Sequence, residues 1–416
     1  MSYGCYVHIP FCEGQKCPYC GFFSVPYSAY MADDYIPALL EQARRSSSPE
    51  SDTLYIGGGT PSCLTATQLE TLLVGLQKIL PLSSNAEITV ELNPENVSED
   101  LATLLFHCGA TRVSLGAQSL VQRQLSVLGR KHTAERTITA LNILKRNSFL
   151  TSIDLIFGVP GQQLEEWDAT INRAIELDPD HISIYCLSFE EGTPFAYALR
   201  KGLIAPVGSE KEHKMFYSAR EKLMTAGYEH YEISNFSKPG KSSKHNTKYW
   251  TGEGYIGIGA GAHSYIQGPP RWIRMSVVSN VHSFLRRIDS AEQLWDFVES
   301  LDLPKRVAEF LMLRLRLLEG FSVEDVARCL PELDAIHFVD LLRPLESAQR
   351  LIHDSGRIRI PPELLFVSDS VILACVHVTE SYVRQVALKH RNISDDIDMA
   401  EYISNFRGAD EPGPQK

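Results

Sequence analysis

Six short runs, CYVHIP, TLYIGG, EITVEL, RVSLGA, SIDLIFG and HISIYCL, punctuate the first two hundred residues, and each is rich in β-branched and aromatic residues. Several are apolar almost without a break, as strands buried on both faces must be. Between them the apolar positions change to helical spacing. Leu69, Leu72, Leu73, Leu76, Ile79 and Leu80 form one stripe, Ser98 stands as an N-cap before Leu101 to Phe106, and residues 135–145 and 164–177 repeat the pattern. Alternating strands and helices imply a parallel sheet with helical crossovers. Six units fall short of the eight of a closed barrel, so the expectation is a partial α/β barrel.

Past about residue 205 the pattern changes. A helix is expected over 211–226, then a Gly- and aromatic-rich segment, and from about 290 helices over 307–318 and 323–330. RIRIPPELLFV suggests a small β element, giving a small, mainly helical, winged-helix-like C-terminal unit. The expected division is a barrel over 1–205, an extension over 206–285, the helical unit over 286–376 and a C-terminal extension over 377–416. That extension ends in polar GADEPGPQK, a composition that cannot pack a core, and holds an amphipathic helix around 381–389.

Composition narrows the partners. With 44% hydrophobic and 22% charged residues the 416-residue chain is an ordinary globular one, and its net charge of −11 opposes nucleic acid as the main partner. No apolar run approaches the roughly 20 residues of a membrane helix, and MSYGCYVHIP lacks the features of a secretory signal. A cytoplasmic protein without a transmembrane segment is expected, with peripheral membrane contact left open. Of nine cysteines, Cys5, Cys63, Cys108, Cys186, Cys329 and Cys375 stand singly in apolar surroundings and are expected to be buried, reduced thiols.

Cys12, Cys17 and Cys20 are different, because they share one loop in a Cys-x4-Cys-x2-Cys spacing directly after the first strand. A structural zinc site takes four donors and a disulfide would leave one thiol over. An iron–sulfur cubane on three thiolates keeps one iron open to a ligand. His8 or Cys5 would be needed to complete a zinc set, an arrangement that stays the rival. Other polar or glycine residues fall at the carboxyl ends of later strands, where α/β proteins bind ligands. GGGTP (residues 57–61) follows the second, Glu91 ends the third, Gln118 follows the fourth and Asp154 lies near the fifth. Glu91 suits a ribose or amino group, and Arg130 suits a carboxylate.

Taken in order, YVHIPFC, CPYCGFF, IGGGTPS, ELNPE, RVSLGAQS, LGRKH, IDLIFGVPGQ, ISIYCLS, YEISNFSKPG, HNTKYW and GIGAGAHSY resemble the radical S-adenosylmethionine (SAM) superfamily, in its oxygen-independent coproporphyrinogen III oxidase-like branch. The likeness covers about residues 3–376 and is nearest to the haem chaperones of that branch. It implies a partial (β/α)6 radical-SAM barrel in which Cys12, Cys17 and Cys20 ligate a [4Fe-4S] cluster. Tyr6 and Phe22 would lie near cluster and cofactor. Gly58, Gly59 and Thr60 would meet the methionine part of SAM, and Glu91, Gln118, Arg130 and Asp154 match further SAM positions. His245, Asn246, Tyr249 and Trp250 match the chaperones' HNxxYW motif, whose histidine is associated with haem as cargo.

The resemblance therefore implies a protein that binds haem and SAM and delivers haem to haem-requiring, respiratory proteins. It leaves open whether SAM is cleaved or only bound. The alternatives are a coproporphyrinogen III oxidase and a non-catalytic zinc or cluster module. Phe22, where the oxidases carry a further Cys, and the absence of their N-terminal extension favour the chaperone. The family loop usually reads Cys-x3-Cys-x2-Cys, so this chain carries one additional residue, which loop closure tolerates at small entropic cost.

Overall fold

The structure is a computed structural model that describes residues 2–14, 16–46, 48–268 and 272–390. The six expected strands form β1 (Tyr3–Ile9), β2 (Ser51–Gly58), β3 (Leu82–Leu92), β4 (Arg112–Gln118), β5 (Leu150–Phe157) and β6 (His181–Cys186). They pair in parallel in chain order. A seventh parallel neighbour, Tyr255–Ile258, lies on the other side of β1.

The sheet runs on beyond both ends of this set. Asn235–Ser237 and Glu229–Glu232 add antiparallel to β6, while His263–Ile266, Ile273–Val277 and Trp295–Ser300 follow Tyr255–Ile258. Twelve strands thus make one open sheet among the described residues.

Local chemistry fixes the crossovers. The helix Ala66–Ile79 begins at a capping box of Thr65 and Gln68 and buries Leu69, Leu72, Leu73 and Leu76. Ser98 caps Glu99–His107 by accepting from the Leu101 N–H at 3.1 Å. The helix Leu164–Leu177 seats the fully buried Trp167, whose indole N–H donates to Met215 O at 2.8 Å.

The C-terminal unit has helices Leu303–Arg314, Val323–Cys329 and Ala335–Asp340 beside a three-stranded antiparallel sheet of Phe321–Ser322, Arg357–Arg359 and Ile352–Asp354. A 23-residue helix, Ser368–His390, packs on Leu303–Arg314 and encompasses the helix expected around 381–389. Pro362–His390 is long and apolar enough by composition to cross a membrane. Polar residues at every turn hid this from a search for unbroken apolar runs. Within it Val371, Ile372, Cys375, Val383 and Val386 are buried against the protein. The polar tail GADEPGPQK lies outside the described residues.

Cys5, Cys63, Cys108 and Cys375 are buried as expected, and all nine cysteines are free. Cys186 departs from the expectation: it ends β6, where the strand leaves the core, and is exposed at the rim of the cavity described below. Cys329 is half-buried.

Candidate functional site

The inner faces of β2 to β6 and the loops after β1 and β2 line a cavity of about 680 Å³. Its wall includes Cys12, Cys17, Cys20 and Phe22 from the first loop, Gly58, Gly59 and Thr60 after β2, Glu91 on β3, Gln118 on β4, then Arg130, Asp154 on β5, and Asn246. Tyr6, His245, Tyr249 and Trp250 are not part of it.

The cysteine loop is tied at both ends. Phe11–Cys12 pairs with Val25–Pro26, Val25 N donates to Pro10 O at 2.7 Å, and Tyr27 N donates to Cys12 O at 2.9 Å. Behind it, the Tyr6 hydroxyl bonds His8 Nδ1 at 3.0 Å and His8 Nε2 bonds Phe23 O at 2.9 Å, so β1 grips the loop's exit. Tyr6 therefore supports the loop from the core side. The spacing between Cys12 and Cys17 is taken up outside, where Glu13, Gly14 and Lys16 are exposed. All three sulfurs stay on one wall. Phe22 is 70% exposed at the mouth.

Two thiols have polarising neighbours. The Thr60 hydroxyl lies 3.7 Å from Cys12 Sγ, and Arg130 Nη1 lies 3.5 Å from Cys17 Sγ. Arg130 is fixed by Asn93 Oδ1 at 2.8 Å and Gly116 O at 3.2 Å. Three free, soft thiols on one wall, beside donors able to stabilise thiolates, fit an iron–sulfur cluster. Among the described residues no three His, Cys, Asp or Glu side chains close on a point that would hold a single ion.

The glycine run answers first to the protein's own atoms. A Cβ on Gly57 would stand 2.7 Å from the Glu91 carboxyl, and one on Gly59 would stand 2.5 Å from Phe11 O. Gly58 has φ +112° and would strike the His8 ring at 2.5 Å. Glu91 accepts from Tyr55 OH at 2.6 Å and from Gly58 N at 3.1 Å. Burial, and then the nearby Asp154, push its pKa up to about 7 against these two bonds. Burial likewise raises Asp154, whose Oδ2 accepts from Ser114 Oγ at 3.0 Å. Gln118 adopts a left-handed φ of +57°, and its Oε1 is buried without a partner. The wall thus offers protonatable carboxyls, an unpaired amide oxygen and open backbone to a polar ligand.

HNTKYW forms most of the helix Lys244–Thr251, which packs against β2 and the helix Leu303–Arg314. The helix divides the motif. Asn246 faces the cavity, while His245 is 2% exposed and points into the core. Its Nδ1 bonds Thr53 Oγ1 at 2.8 Å, its Nε2 bonds Tyr249 OH at 2.9 Å, and its ring stacks on Tyr55 with centroids 5.0 Å apart. Burial, with the Lys248 charge adding, pushes its pKa down to about 3. Trp250 lies beside Arg316, whose guanidinium is 4.9 Å from the ring.

Sequence reasoning did not find Thr53 and Tyr55, nor Arg112 and His181, which line the same cavity. The signal was present, since each is polar or aromatic at a position of its strand that faces the interior.

The Radical SAM superfamily profile matches residues 6–174, and that of the HemN C-terminal domain matches residues 301–366. The chain is 37% identical over 320 residues to "Heme chaperone HemW" of Lactococcus lactis subsp. lactis (strain IL1403), covering 77% of this chain and 83% of that one. It is 34% identical over 357 residues to the protein so named in Bacillus subtilis (strain 168), covering 84% and 92%. The Escherichia coli (strain K12) protein of that name is 38% identical over 328 residues, covering 76% and 82%. Among solved structures, coproporphyrinogen III oxidase (HemN) from Escherichia coli, described as a radical SAM enzyme, has a TM-score of 0.77 at 22% identity, with 90% of each chain covered. At that identity the likeness establishes the α/β radical-SAM fold.

Proposed function

The chain belongs to the heme chaperone HemW family within the radical SAM superfamily, and from that premise we propose that it binds haem in the cytoplasm and delivers it to haem-requiring, respiratory proteins. The observation that carries this reading is the single cavity on which the three cysteines, the glycine loop, Glu91, Gln118, Arg130, Asp154 and the HNxxYW asparagine converge.

In this reading Cys12, Cys17 and Cys20 hold a [4Fe-4S] cluster, which when bound and reduced supplies an electron to SAM. Arg130 directs a guanidinium N–H at Cys17 Sγ and ties the loop to Asn93 and Gly116. The Thr60 hydroxyl points at Cys12 Sγ. Gly58, Gly59 and Thr60 line the cavity where the methionine part of SAM would sit, and Glu91 and Asp154 would take its amino and ribose groups. His245 becomes a haem ligand only after its bonds to Thr53 and Tyr249 break, so ligation requires movement of the helix Lys244–Thr251.

The test is anaerobic reconstitution of the cluster, then titration with haem and transfer to an apo-haemoprotein. Stoichiometric binding followed by transfer is expected. No binding, or conversion of coproporphyrinogen III to protoporphyrinogen IX by the same preparation without transfer, overturns the chaperone reading.

A further inference from the structure

The floor of the cavity lies at the amino ends of the strands, opposite the cysteine loop. Arg112, Ser152 and His181 stand at or near the starts of β4, β5 and β6, whereas Gln118 closes β4 at the mouth. The cavity therefore runs the length of the inner face, and its lower half is polar. None of the residues assigned above to the cluster or to SAM is among these three.

Arg112 is 2% exposed. Its Nε donates to Glu87 Oε2 at 3.0 Å, and its Nη2 donates to Lys241 O at 2.8 Å and Ser242 O at 3.0 Å. The third arm, Nη1, has no partner among the described residues. A buried cationic N–H left unmatched is costly, and such groups point to a missing acceptor. Beside it lie Ser243 and Asn246, which open the helix Lys244–Thr251. The Asn246 backbone N–H donates to Ser243 Oγ at 3.3 Å, while its carboxamide, turned to the cavity, makes no hydrogen bond among the described residues. His181 brings no competing charge, because burial holds it neutral and Ser152 and Tyr231 take its two nitrogens.

We propose that Arg112 and Asn246 form a carboxylate-binding subsite at the cavity floor, and that it receives a propionate arm of the cargo porphyrin. This rests on the haem-chaperone reading above. One unmatched guanidinium nitrogen and one amide donor suit the two oxygens of a carboxylate. A tetrahedral phosphate would bring a second negative charge beside the buried Glu87 carboxylate, which a monoanionic carboxylate does not. Glu87 already neutralises Arg112 and accepts the His245 N–H in the first turn of the helix, so the Asn246 amide supplies the remaining stabilisation. The HNxxYW motif then recognises its cargo through Asn246 first, with His245 still locked in the core.

The test is a spectroscopic titration of the cluster-reconstituted protein with ferric haem and, separately, with its dimethyl ester, which lacks free carboxylates. The wild-type protein should prefer the diacid by about 10- to 100-fold, the range of one charge-assisted hydrogen bond. Asn246→Asp, which sets a negative charge on a half-buried position and keeps the fold, should erase that preference. Arg112→Lys, checked for folding by circular dichroism, should reduce it. Equal affinity of the wild type for acid and ester overturns the subsite while leaving haem binding intact, as does a preference that survives Asn246→Asp. Failure of both porphyrins to bind refutes the chaperone reading itself.

Discussion

Replacing Glu91 by Gln tests whether this carboxyl is held at a cost. In the folded protein its pKa is about 7 against an ordinary 4.5, because burial outweighs the Tyr55 and Gly58 bonds and Asp154 adds repulsion. Between pH 4.5 and 7 the folded state binds a proton that the unfolded state has released, so stability falls as pH rises through that window. A shift of that size corresponds to ~3 kcal/mol, fully expressed above pH 7. Gln removes the charge but keeps only a neutral acceptor for Tyr55 or Gly58, which costs about 1 kcal/mol. The variant should therefore match wild type near pH 5 and exceed it by roughly 1–2 kcal/mol at pH 8. Urea unfolding of the cluster-free protein at pH 5, 6, 7 and 8 reads this difference directly. Glu232, also raised to about 7 by burial, is common to both proteins and cancels. A stability difference independent of pH, or one that moves against the variant as pH rises, would refute the reasoning.

Three further outcomes are expected. Gly59→Ala would drive a Cβ to within 2.5 Å of Phe11 O, forcing the Phe11–Cys12 strand aside; about 1–3 kcal/mol of stability and much of the iron and acid-labile sulfide should be lost, and full iron content would contradict it. His245→Ala leaves Thr53 and Tyr249 without their shared partner and opens a hole in the core, so a loss of about 2–4 kcal/mol in chemical unfolding is expected, and an unchanged midpoint would mean that the ring is not buried as described. Arg130→Lys keeps the charge but loses the fork that joins Asn93, Gly116 and Cys17; SAM affinity by equilibrium dialysis should fall by about tenfold, whereas wild-type affinity would remove Arg130 from the site.

The barrel was legible because its strands are buried on both faces and say so in unbroken apolar runs. Ser98 and the stripe from Leu69 to Leu76 marked their helices for equally local reasons. The second half of the sheet was not legible. Glu229–Glu232 and Trp295–Ser300 are short, polar strands at the two edges of the sheet, and the three-residue Asn235–Ser237 is held by β6, some fifty residues earlier in the chain. The site divided in the same way. Residues at strand ends were found because topology alone brings them to one rim. The direction of His245 depends on Thr53 and Tyr249, one from β2 and one from its own helix, and no local pattern reports such a meeting. The glycine run was read as room for a ligand, whereas Gly57 makes room for Glu91 and Gly59 for the Phe11 carbonyl.

The position of β1 sets an order of events. It lies between β2 and Tyr255–Ile258, and Gly259 N and Ala260 N donate to Gln42 Oε1 and to the hydroxyl of Tyr35, which in turn donates to His8 O. A strand made among the first ten residues thus waits for a partner made some 250 residues later. At about 5–20 residues per second a ribosome needs roughly ten seconds or more to supply it. Until then one edge of β1 is unpaired and the cysteine loop it grips lacks a rigid frame. A cluster on Cys12, Cys17 and Cys20 would then be received late, by a chain already synthesised past residue 260, and until that point the open edge of β1 invites aggregation and the three thiols are open to oxidation.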